Sequence, residues 1–112
     1  MERRDLPIIV GGFYRSGTSL VRRLLDAHSQ IHCPTEIKFL TDFHAYYRDD
    51  PLAHTRFFAT LRVLGLPEDE LLRLFAVAYR EARERAARAR GKRRWADKVP
   101  ENVLFLESWR TM

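Results

Sequence analysis

Blocks of apolar residues along the chain predict short strands that alternate with helices. The run LPIIVGG is continuously apolar, contains β-branched residues and ends in glycines, so it predicts a buried strand over about residues 7–11. From Thr18 to about Ala27 or His28 the apolar positions follow the period of a helix. The predicted inner face of this helix comprises Leu20, Val21, Leu24 and Leu25, and the outer face comprises Arg22, Arg23 and Asp26.

The middle of the chain predicts a second strand and two helices. The run IHC predicts a strand over residues 31–33, which Pro34 ends. Asp50 and Pro51 are typical of a helix start and predict a helix from Pro51 to about Leu64, ended by Gly65. The next helix begins at Pro67, has three acidic residues in its first turn and many arginines in its last turns, and stops at Gly91. Its predicted apolar stripe comprises Leu71, Leu74, Phe75, Ala78 and Ala82.

The last part of the chain completes an alternating pattern. The segment RRWADKVP predicts a third strand over about residues 94–97, followed by a loop. Pro100 then begins a final helix, which carries Val103, Leu104, Leu106 and Trp109. Strands that alternate with helices predict an α/β fold with a parallel sheet. The 112 residues contain no repeat or low-complexity linker, so they form one domain or part of one.

The stretch GGFYRSGTS, residues 11–19, links the first predicted strand to the first helix and nearly matches a phosphate-binding loop. The pattern G-x-x-x-x-G-K-[ST] is met from Gly12 to Ser19, except that Thr18 replaces the lysine. The glycines let backbone N–H groups converge on an anion, and the N-terminus of the following helix adds partial positive charge. Arg15 supplies a cation from within the loop, and the hydroxyls supply further donors. The alternative is a glycine-rich turn that binds no ligand.

The missing lysine changes which anion the loop suits. In nucleoside triphosphate hydrolases this lysine reaches the β- and γ-phosphates, and the next Ser or Thr holds magnesium. A loop without it is poorly equipped for a triphosphate. It still suits a single phosphate, or a phosphate joined to another tetrahedral oxyanion.

The longer stretch GGFYRSGTSLVRRLLDAHSQIHCPTE resembles the 5′-phosphosulfate-binding loop and following helix of the sulfotransferase family. Members of this family transfer a sulfuryl group from 3′-phosphoadenosine 5′-phosphosulfate (PAPS) to an acceptor. The family motif, a basic residue followed by Ser-Gly-Thr-Thr/Ser, corresponds to Arg15, Ser16, Gly17, Thr18 and Ser19. The continuation LLDAHSQIHCPTE is similar to the protein-tyrosine sulfotransferase branch and to bacterial relatives. The resemblance covers residues 6–40 well and residues 93–110 loosely.

The resemblance implies a P-loop-type three-layer fold, with a helical insertion over about residues 40–92, and a role for each matched residue. The implied PAPS-binding residues are Gly12, Arg15, Ser16, Gly17, Thr18 and Ser19. In the tyrosine branch the proposed catalytic base is a glutamate 21 residues after the loop arginine, which corresponds to Glu36. Lys98, shortly before Pro100, matches a lysine–proline element and would offset charge on the bridging oxygen. Glu36, Lys98 and Arg15 are therefore the predicted catalytic residues, and no metal is required.

Each of these assignments has a simpler alternative when the residue is taken alone. Glu36 is then a carboxylate near a helix start, and Lys98 is a surface lysine. Cytosolic small-molecule sulfotransferases carry a catalytic histidine in the lysine–proline element, whereas this chain has Asp97, Lys98, Val99 and Pro100. A carboxylate base is therefore expected.

The resemblance also predicts what the chain lacks. The family binds the 3′-phosphate of PAPS through an Arg and a Ser on the strand and helix after the final helix, and the chain ends at Met112. We therefore expect the N-terminal part of a single sulfotransferase domain, inactive on its own. The missing strand would normally cover the apolar side chains of the final helix. Without it, four of them would be partly uncovered and could promote self-association: Leu104, Phe105, Leu106 and Trp109.

Composition excludes several other classes of protein. No apolar run approaches the roughly 18 residues of a membrane span, and the N-terminus does not match a signal peptide. The single cysteine, Cys33, excludes an internal disulfide and is typical of a reducing compartment. The paired spacing of metal ligands is absent among His28, His32, Cys33 and His44.

The net charge of +5 is concentrated between Arg80 and Arg94, where eight basic residues accompany two acidic ones. Glu81 with Arg85, and Glu84 with Arg88, are spaced as i,i+4 pairs, which indicates a solvated helix face. The alternative is a surface that attracts an acidic acceptor. No aromatic residues interleave the segment to stack on bases, so a nucleic-acid partner is not expected.

The resemblance therefore implies a PAPS-dependent sulfotransferase, and it leaves open whether the acceptor is a peptide, a carbohydrate, a lipid or a small alcohol. One alternative is an atypical P-loop nucleotide kinase or phosphotransferase, against which stand the missing lysine and the lack of an identifiable acidic magnesium ligand. The other is a truncated, non-catalytic nucleotide-binding module. The excess of arginine over lysine, 17 to 3, favours a bacterial source, and a cytoplasmic location is expected without a membrane anchor.

Overall fold

A computed structural model describes residues 6–47 and 56–112 of the chain. In chain order these residues form β1 (Ile8–Val10), α1 (Thr18–Ala27), β2 (Ile31–His32), α2 (Phe39–Phe43), α3 (Arg56–Thr60), α4 (Glu68–Ala89), β3 (Arg94–Lys98) and α5 (Leu106–Thr111). Two 3-10 segments, Leu61–Leu64 and Pro100–Leu104, follow α3 and β3. Within the described ranges, no helix is both long enough and apolar enough to cross a membrane.

The three strands form one parallel sheet in the order β1-β3-β2. Val10 at the end of β1 lies opposite Lys98 at the end of β3, and His32 at the end of β2 lies opposite Trp95. The predicted α/β fold with a parallel sheet is confirmed. Because parallel strands end at the same edge, the segments that follow β1, β2 and β3 meet there, where ligands bind in open α/β sheets.

Helix α1 has the predicted bounds, but its faces match the prediction only in part. Leu25 is partly buried and Arg23 is exposed, as predicted, whereas the other positions differ. Leu20 and Leu24 are 61% and 64% exposed, whereas Arg22 and Asp26 are partly buried. The Asp26 carboxylate accepts the Cys33 N–H at 2.9 Å, and Arg22 donates to the Cys33 carbonyl at 2.9 Å. These bonds satisfy the backbone where β2 ends, so the polar side of α1 turns towards the strand.

An aromatic-rich core joins α2, α3 and α4. The predicted helix start at Asp50 and Pro51 lies outside the described residues, and the second half of that helix is present as α3 and its 3-10 segment, which ends at Gly65. The buried centre of the core comprises Leu40, Phe43, Leu71 and Leu72, and its partly buried neighbours are Phe39, Phe58, Leu61, Phe75, Phe105, Trp109 and Met112.

Helix α4 has the predicted acidic start, and Gly91 follows its arginine-rich end with a φ of 69°. Its inner face is only partly the predicted stripe. Leu71 and Phe75 pack inward as predicted, but three predicted positions are exposed: Leu74, Ala78 and Ala82. Four other residues are buried or partly buried instead: Leu72, Ala76, Tyr79 and Arg83. The spacing of apolar residues does not predict that Tyr79 and Arg83 lie on the inner face. They do so because their polar groups bind the buried carboxylate of Asp97.

The prediction of one helix from Pro100 is wrong. Phe105, with φ −122° and ψ 29°, separates the 3-10 segment from α5. The 3-10 turn lets the Asn102 amide donate to the Val10 carbonyl at 3.0 Å, which ties the segment to the end of β1. Leu104 and Leu106 are exposed as expected, whereas Phe105 and Trp109 pack against the core.

Candidate active site

The loop between β1 and α1 has a compact conformation that leaves space for an anion. The Gly12 N–H donates to the Pro100 carbonyl at 3.1 Å, which attaches the loop to the segment after β3. Arg15 and Gly17 have left-handed backbones, with φ of 60° and 93°. A Cβ on Gly17 would meet no atom within 4 Å, so the space beside the start of α1 is open. The first N–H groups of a helix have no partner inside it and bind anions readily.

The predicted loop residues differ in exposure. Arg15, Ser16 and Ser19 are exposed, whereas Thr18 is buried. A Cβ on Gly12 would lie 3.0 Å from Ser16 Oγ and 3.1 Å from Thr18 Cγ2, so the loop closes tightly on itself at this glycine. Gly12 therefore shapes the loop, and the side chains of Arg15 and Ser19 are open to solvent.

Glu36 and Lys98, which are 62 residues apart in the chain, form an ion pair at the carboxyl edge of the sheet. Lys98 Nζ donates to Glu36 Oε1 at 2.5 Å. The Lys98 side chain is 3% exposed and the Glu36 side chain 31%, so the pair lies at the boundary between interior and solvent. Glu36 precedes α2 and lies outside it, and Lys98 is the buried last residue of β3 rather than a surface lysine.

A cleft of about 460 Å³, called the donor cleft below, brings the loop and the ion pair together. It is lined by Tyr14, Arg15, Gly17, Thr18, Ser19, Glu36, Lys98 and Pro100. A second space of about 400 Å³ shares Ser19, Glu36 and Lys98 with it and adds Arg22, Thr35 and Lys38. Among the predicted site residues, Gly12 and Ser16 do not line the donor cleft.

A buried polar network beneath the cleft fixes the strand that carries Lys98. Arg83 donates to Asp97 Oδ2 at 2.9 Å and to the Ala96 carbonyl at 2.5 Å. The Tyr79 hydroxyl donates to the same Asp97 oxygen at 2.6 Å, and Asn102 donates to Asp97 Oδ1 at 2.9 Å. Burial raises the pKa of Tyr79, so its hydroxyl stays protonated and remains a donor.

The network corrects the prediction for the basic segment, because Arg83 is a buried structural residue. Other residues in the segment are solvated, as expected: Arg85 donates to Glu81 at 2.7 Å, and both side chains are exposed. Sequence reasoning missed Arg83, Asp97 and Asn102 as supports of the site. The sequence did contain one signal of this network, namely the charged Asp97 next to apolar residues of a predicted strand. A buried carboxylate requires hydrogen-bond partners, so Asp97 indicates that polar residues pack against it.

A second cluster missed by sequence reasoning joins the loop to Glu101, which is 3% exposed. Glu101 Oε1 accepts hydrogen bonds from the Tyr14 hydroxyl at 2.8 Å and from the Tyr47 hydroxyl. Glu101 Oε2 is buried and has no hydrogen-bond partner. Burial raises the pKa of Glu101, but the donors from Tyr47 and Tyr14 outweigh it and hold the pKa below its usual range.

The histidines and the cysteine lie outside the cleft lining. Cys33 is fully buried, which raises the pKa of its thiol, so it is the small buried hydrophobe that was expected. His44 Nε2 lies 2.7 Å from Ser108 Oγ, and its Nδ1 lies 3.4 Å from Glu68. Over residues 6–47 and 56–112 there is no group of three or more His, Cys, Asp or Glu that could hold a metal ion.

Comparisons with known proteins found one family match and two similar relatives. A model of the sulfotransferase family matches residues 7–110. Protein-tyrosine sulfotransferase 1 of Homo sapiens is 47% identical to the chain over 38 residues, and so is protein-tyrosine sulfotransferase 1 of Mus musculus. Each match covers 33% of this chain and 10% of the relative, so the matched region is a small part of those proteins. No solved structure matches the chain.

Proposed function

Because the chain belongs to the sulfotransferase family, we propose that it binds PAPS and transfers the sulfuryl group to an acceptor hydroxyl. The observation that carries this proposal is the donor cleft, in which a phosphate-type loop, a carboxylate and a buried lysine face one space. The two matched relatives are named tyrosine sulfotransferases, which supports the same reaction class.

The loop supplies the groups that a 5′-phosphosulfate requires. The N–H groups at the start of α1 and the Ser19 hydroxyl donate to the phosphate oxygens, and the Arg15 guanidinium balances their charge. With Thr18 in the lysine position, the loop provides one side-chain cation, Arg15, which suits a single phosphate better than a triphosphate.

Transfer follows an in-line path. The acceptor oxygen attacks the sulfur, a new O–S bond forms, and the bond between sulfur and the bridging oxygen breaks. Glu36 accepts the acceptor's proton as a general base. The products are the sulfate ester and 3′-phosphoadenosine 5′-phosphate (PAP), and the bridging oxygen leaves with the phosphate.

In the resting state of this mechanism, Glu36 and Lys98 form the ion pair that is present in the structure. Without donor, the two charges neutralise each other at 2.5 Å. When the sulfuryl group enters, Lys98 Nζ shifts to the bridging oxygen, where negative charge develops, and this frees Glu36 Oε1 for the acceptor's proton. Stabilisation of developing charge by a buried cation that is already present in the site is a large contribution to catalysis.

The experiment that tests the proposal is calorimetric titration of the chain with PAP and, separately, with ATP plus magnesium. We expect PAP to bind without a metal, weakly to the 112-residue chain and more tightly to the extended form, and we expect ATP with magnesium to bind more weakly still. Tight, magnesium-dependent binding of ATP would contradict the proposal and favour the kinase alternative. Binding of PAP without sulfuryl transfer, in the 112-residue chain and in a form extended by roughly 100 residues of its parent gene, would favour the non-catalytic module.

A further inference from the structure

Arg15, the cation of the loop between β1 and α1, has a backbone conformation that its surroundings must hold in place. Its φ of 60° lies in the left-handed region, which residues with a side chain rarely adopt. Its side chain is exposed and makes no hydrogen bond or ion pair within the described part of the chain. The conformation therefore depends on the residues around Arg15, because such backbones persist only where neighbouring contacts fix them.

Two contacts attach the loop, just before Arg15, to the 3-10 segment that follows β3. The Gly12 N–H donates to the Pro100 carbonyl at 3.1 Å. Two residues later, the Tyr14 hydroxyl donates to Glu101 Oε1 at 2.8 Å, so the two contacts reach consecutive residues of one segment. The second contact is the stronger type, because Glu101 is ionised at neutral pH, with a pKa below its usual range, and hydrogen bonds to charged groups are stronger than neutral ones.

Glu101 is a fixed anchor for the Tyr14 hydroxyl. It is 3% exposed, so its carboxylate lies within the folded structure. Asn102, the next residue, donates to the Val10 carbonyl at 3.0 Å and to Asp97 Oδ1 at 2.9 Å. These bonds attach the segment to both β1 and β3. The Tyr14 side chain therefore connects the loop to the sheet through residues that are themselves held by hydrogen bonds.

We propose that Glu101 and Tyr14 are positioning residues of the donor cleft, which hold the Arg15 backbone in the conformation that binds the donor's 5′-phosphate. Both act through Arg15, and Glu101 is not among the residues that line the donor cleft. The loop is then ordered before the ligand arrives, and an ordered loop binds more tightly because less conformational entropy is lost on binding. This inference rests on the proposed function, which supplies the phosphate that Arg15 binds.

Tyr14→Phe and Tyr47→Phe form a matched pair, because each removes one hydroxyl from the same oxygen of Glu101 and only Tyr14 belongs to the loop. PAP binding is measured by calorimetry in the extended form, after circular dichroism has shown that both variants fold. We expect Tyr14→Phe to weaken PAP binding about 10- to 100-fold, the range for a hydrogen bond to a charged group, and Tyr47→Phe to weaken it at most about 3-fold. A loss in Tyr14→Phe no larger than the loss in Tyr47→Phe would overturn the inference.

Double variants separate positioning from direct contact between Tyr14 and the donor. In the Tyr14→Phe background, Arg15→Ala should cost less PAP affinity than it does alone, because the guanidinium is no longer held beside the phosphate. Glu101→Gln keeps an acceptor for both hydroxyls, so it should lose less affinity than Tyr14→Phe and add no loss in the Tyr14→Phe background. Strictly additive losses in either double variant, or tighter PAP binding by Glu101→Gln, would overturn the inference.

Limited digestion with trypsin tests the anchor in the 112-residue chain without any donor. Cleavage after Arg15 requires the loop to open, so its rate, followed by mass spectrometry, reports the open fraction of the loop. We expect this cleavage to be about 10-fold faster in Tyr14→Phe than in Tyr47→Phe, because only the first variant releases the loop from Glu101. Cleavage after Arg85, on α4, is the internal control and should be equal in the two variants. Equal rates after Arg15 would overturn the inference.

Failure of the inference and failure of the proposed function give different results. If PAP binds and the two tyrosine variants match each other in affinity and in cleavage, only the inference fails. If PAP does not bind, the proposed function fails and the role in donor binding fails with it. Faster cleavage of Tyr14→Phe would in that case show that Glu101 anchors the loop for a different purpose.

Discussion

Arg83→Met tests whether the buried network beneath the donor cleft stabilises the fold. The substitution keeps much of the side-chain volume and removes the guanidinium, which forms the buried ion pair with Asp97. The two side chains are 5% and 2% exposed, so the remaining carboxylate would be buried without its cation. Arg83 also donates to the Ala96 carbonyl, so a backbone acceptor of β3 loses its partner as well.

The expected magnitude follows from this burial. Removal of one partner of a buried ion pair lowers the free energy of unfolding by about 3–5 kcal/mol. Asp97 keeps its hydrogen bonds from Tyr79 and Asn102, which places the expected loss at the lower end of that range. For a domain of this size, about 3 kcal/mol corresponds to a decrease in melting temperature of roughly 10–20 °C.

Urea unfolding followed by far-UV circular dichroism measures the change. The matched control is Arg85→Met, which makes the same substitution on the same helix at an exposed ion pair. Arg85→Met should leave the unfolding midpoint almost unchanged, because exposed pairs contribute little. Tryptophan fluorescence, which comes from Trp95 and Trp109, gives an independent probe, since Arg83 lies 4.7 Å over the Trp95 ring.

A double variant decides whether the ion pair is the cause. In Arg83→Met with Asp97→Asn, no uncompensated charge remains buried, so the loss should be smaller than the sum of the two single losses. Equal midpoints for Arg83→Met and Arg85→Met would refute the reasoning. Strict additivity in the double variant would show that lost packing, and not the unpaired charge, accounts for the effect.

Three further predictions concern the donor cleft and the response to pH. Arg15→Ala should weaken PAP binding by roughly 1.5–3 kcal/mol in calorimetry, without rescue by magnesium, and unchanged affinity, or an equal loss in the exposed control Arg23→Ala, would contradict this. Glu36→Gln should lower turnover of the extended form about 10²–10⁴-fold and change PAP affinity little. Near-normal turnover in Glu36→Gln together with loss of activity on substitution of His28 or His32 would contradict the assignment of the base. Burial lowers the pKa of His32, so the unfolded chain binds more protons and the free energy of unfolding should fall as pH drops below about 6.5. His32→Gln should flatten that part of the stability curve, and a curve that keeps its slope would contradict the prediction.

Local signals in the sequence predicted the positions of most elements. The glycine-rich end of β1, the acidic start of α4 and Gly91 after its end all act over a few residues, so they can be recognised without the fold. The orientation of the helices could not be predicted in the same way. α1 turns Arg22 and Asp26 towards β2 because they bind the Cys33 backbone, and this requirement comes from a strand end rather than from the helix itself.

The candidate site, like the helices, could be predicted from the sequence only in part. The resemblance identified Arg15, Glu36 and Lys98 one by one, but the contact between Glu36 and Lys98 depends on the parallel register of β2 and β3. Glu101 could not be found because its partners, Tyr14 and Tyr47, come from two other segments of the chain. Periodicity cannot reveal a polar cluster that three separate segments build.

The buried network gives the long helix α4 a part in the donor cleft although it contributes no lining residue there. Arg83 holds Asp97, and Lys98 follows Asp97 directly in β3. Asn102 then links Asp97 to the Val10 carbonyl, at the end of the strand from which the loop begins. A change in the position of α4 would therefore move both the lysine and the start of the loop, because rigid hydrogen bonds connect all three. Under the proposed function, Arg85→Met on the exposed face of α4 should therefore leave PAP binding unchanged, whereas loss of Arg83 should weaken it because Lys98 and the loop would no longer be held in place together.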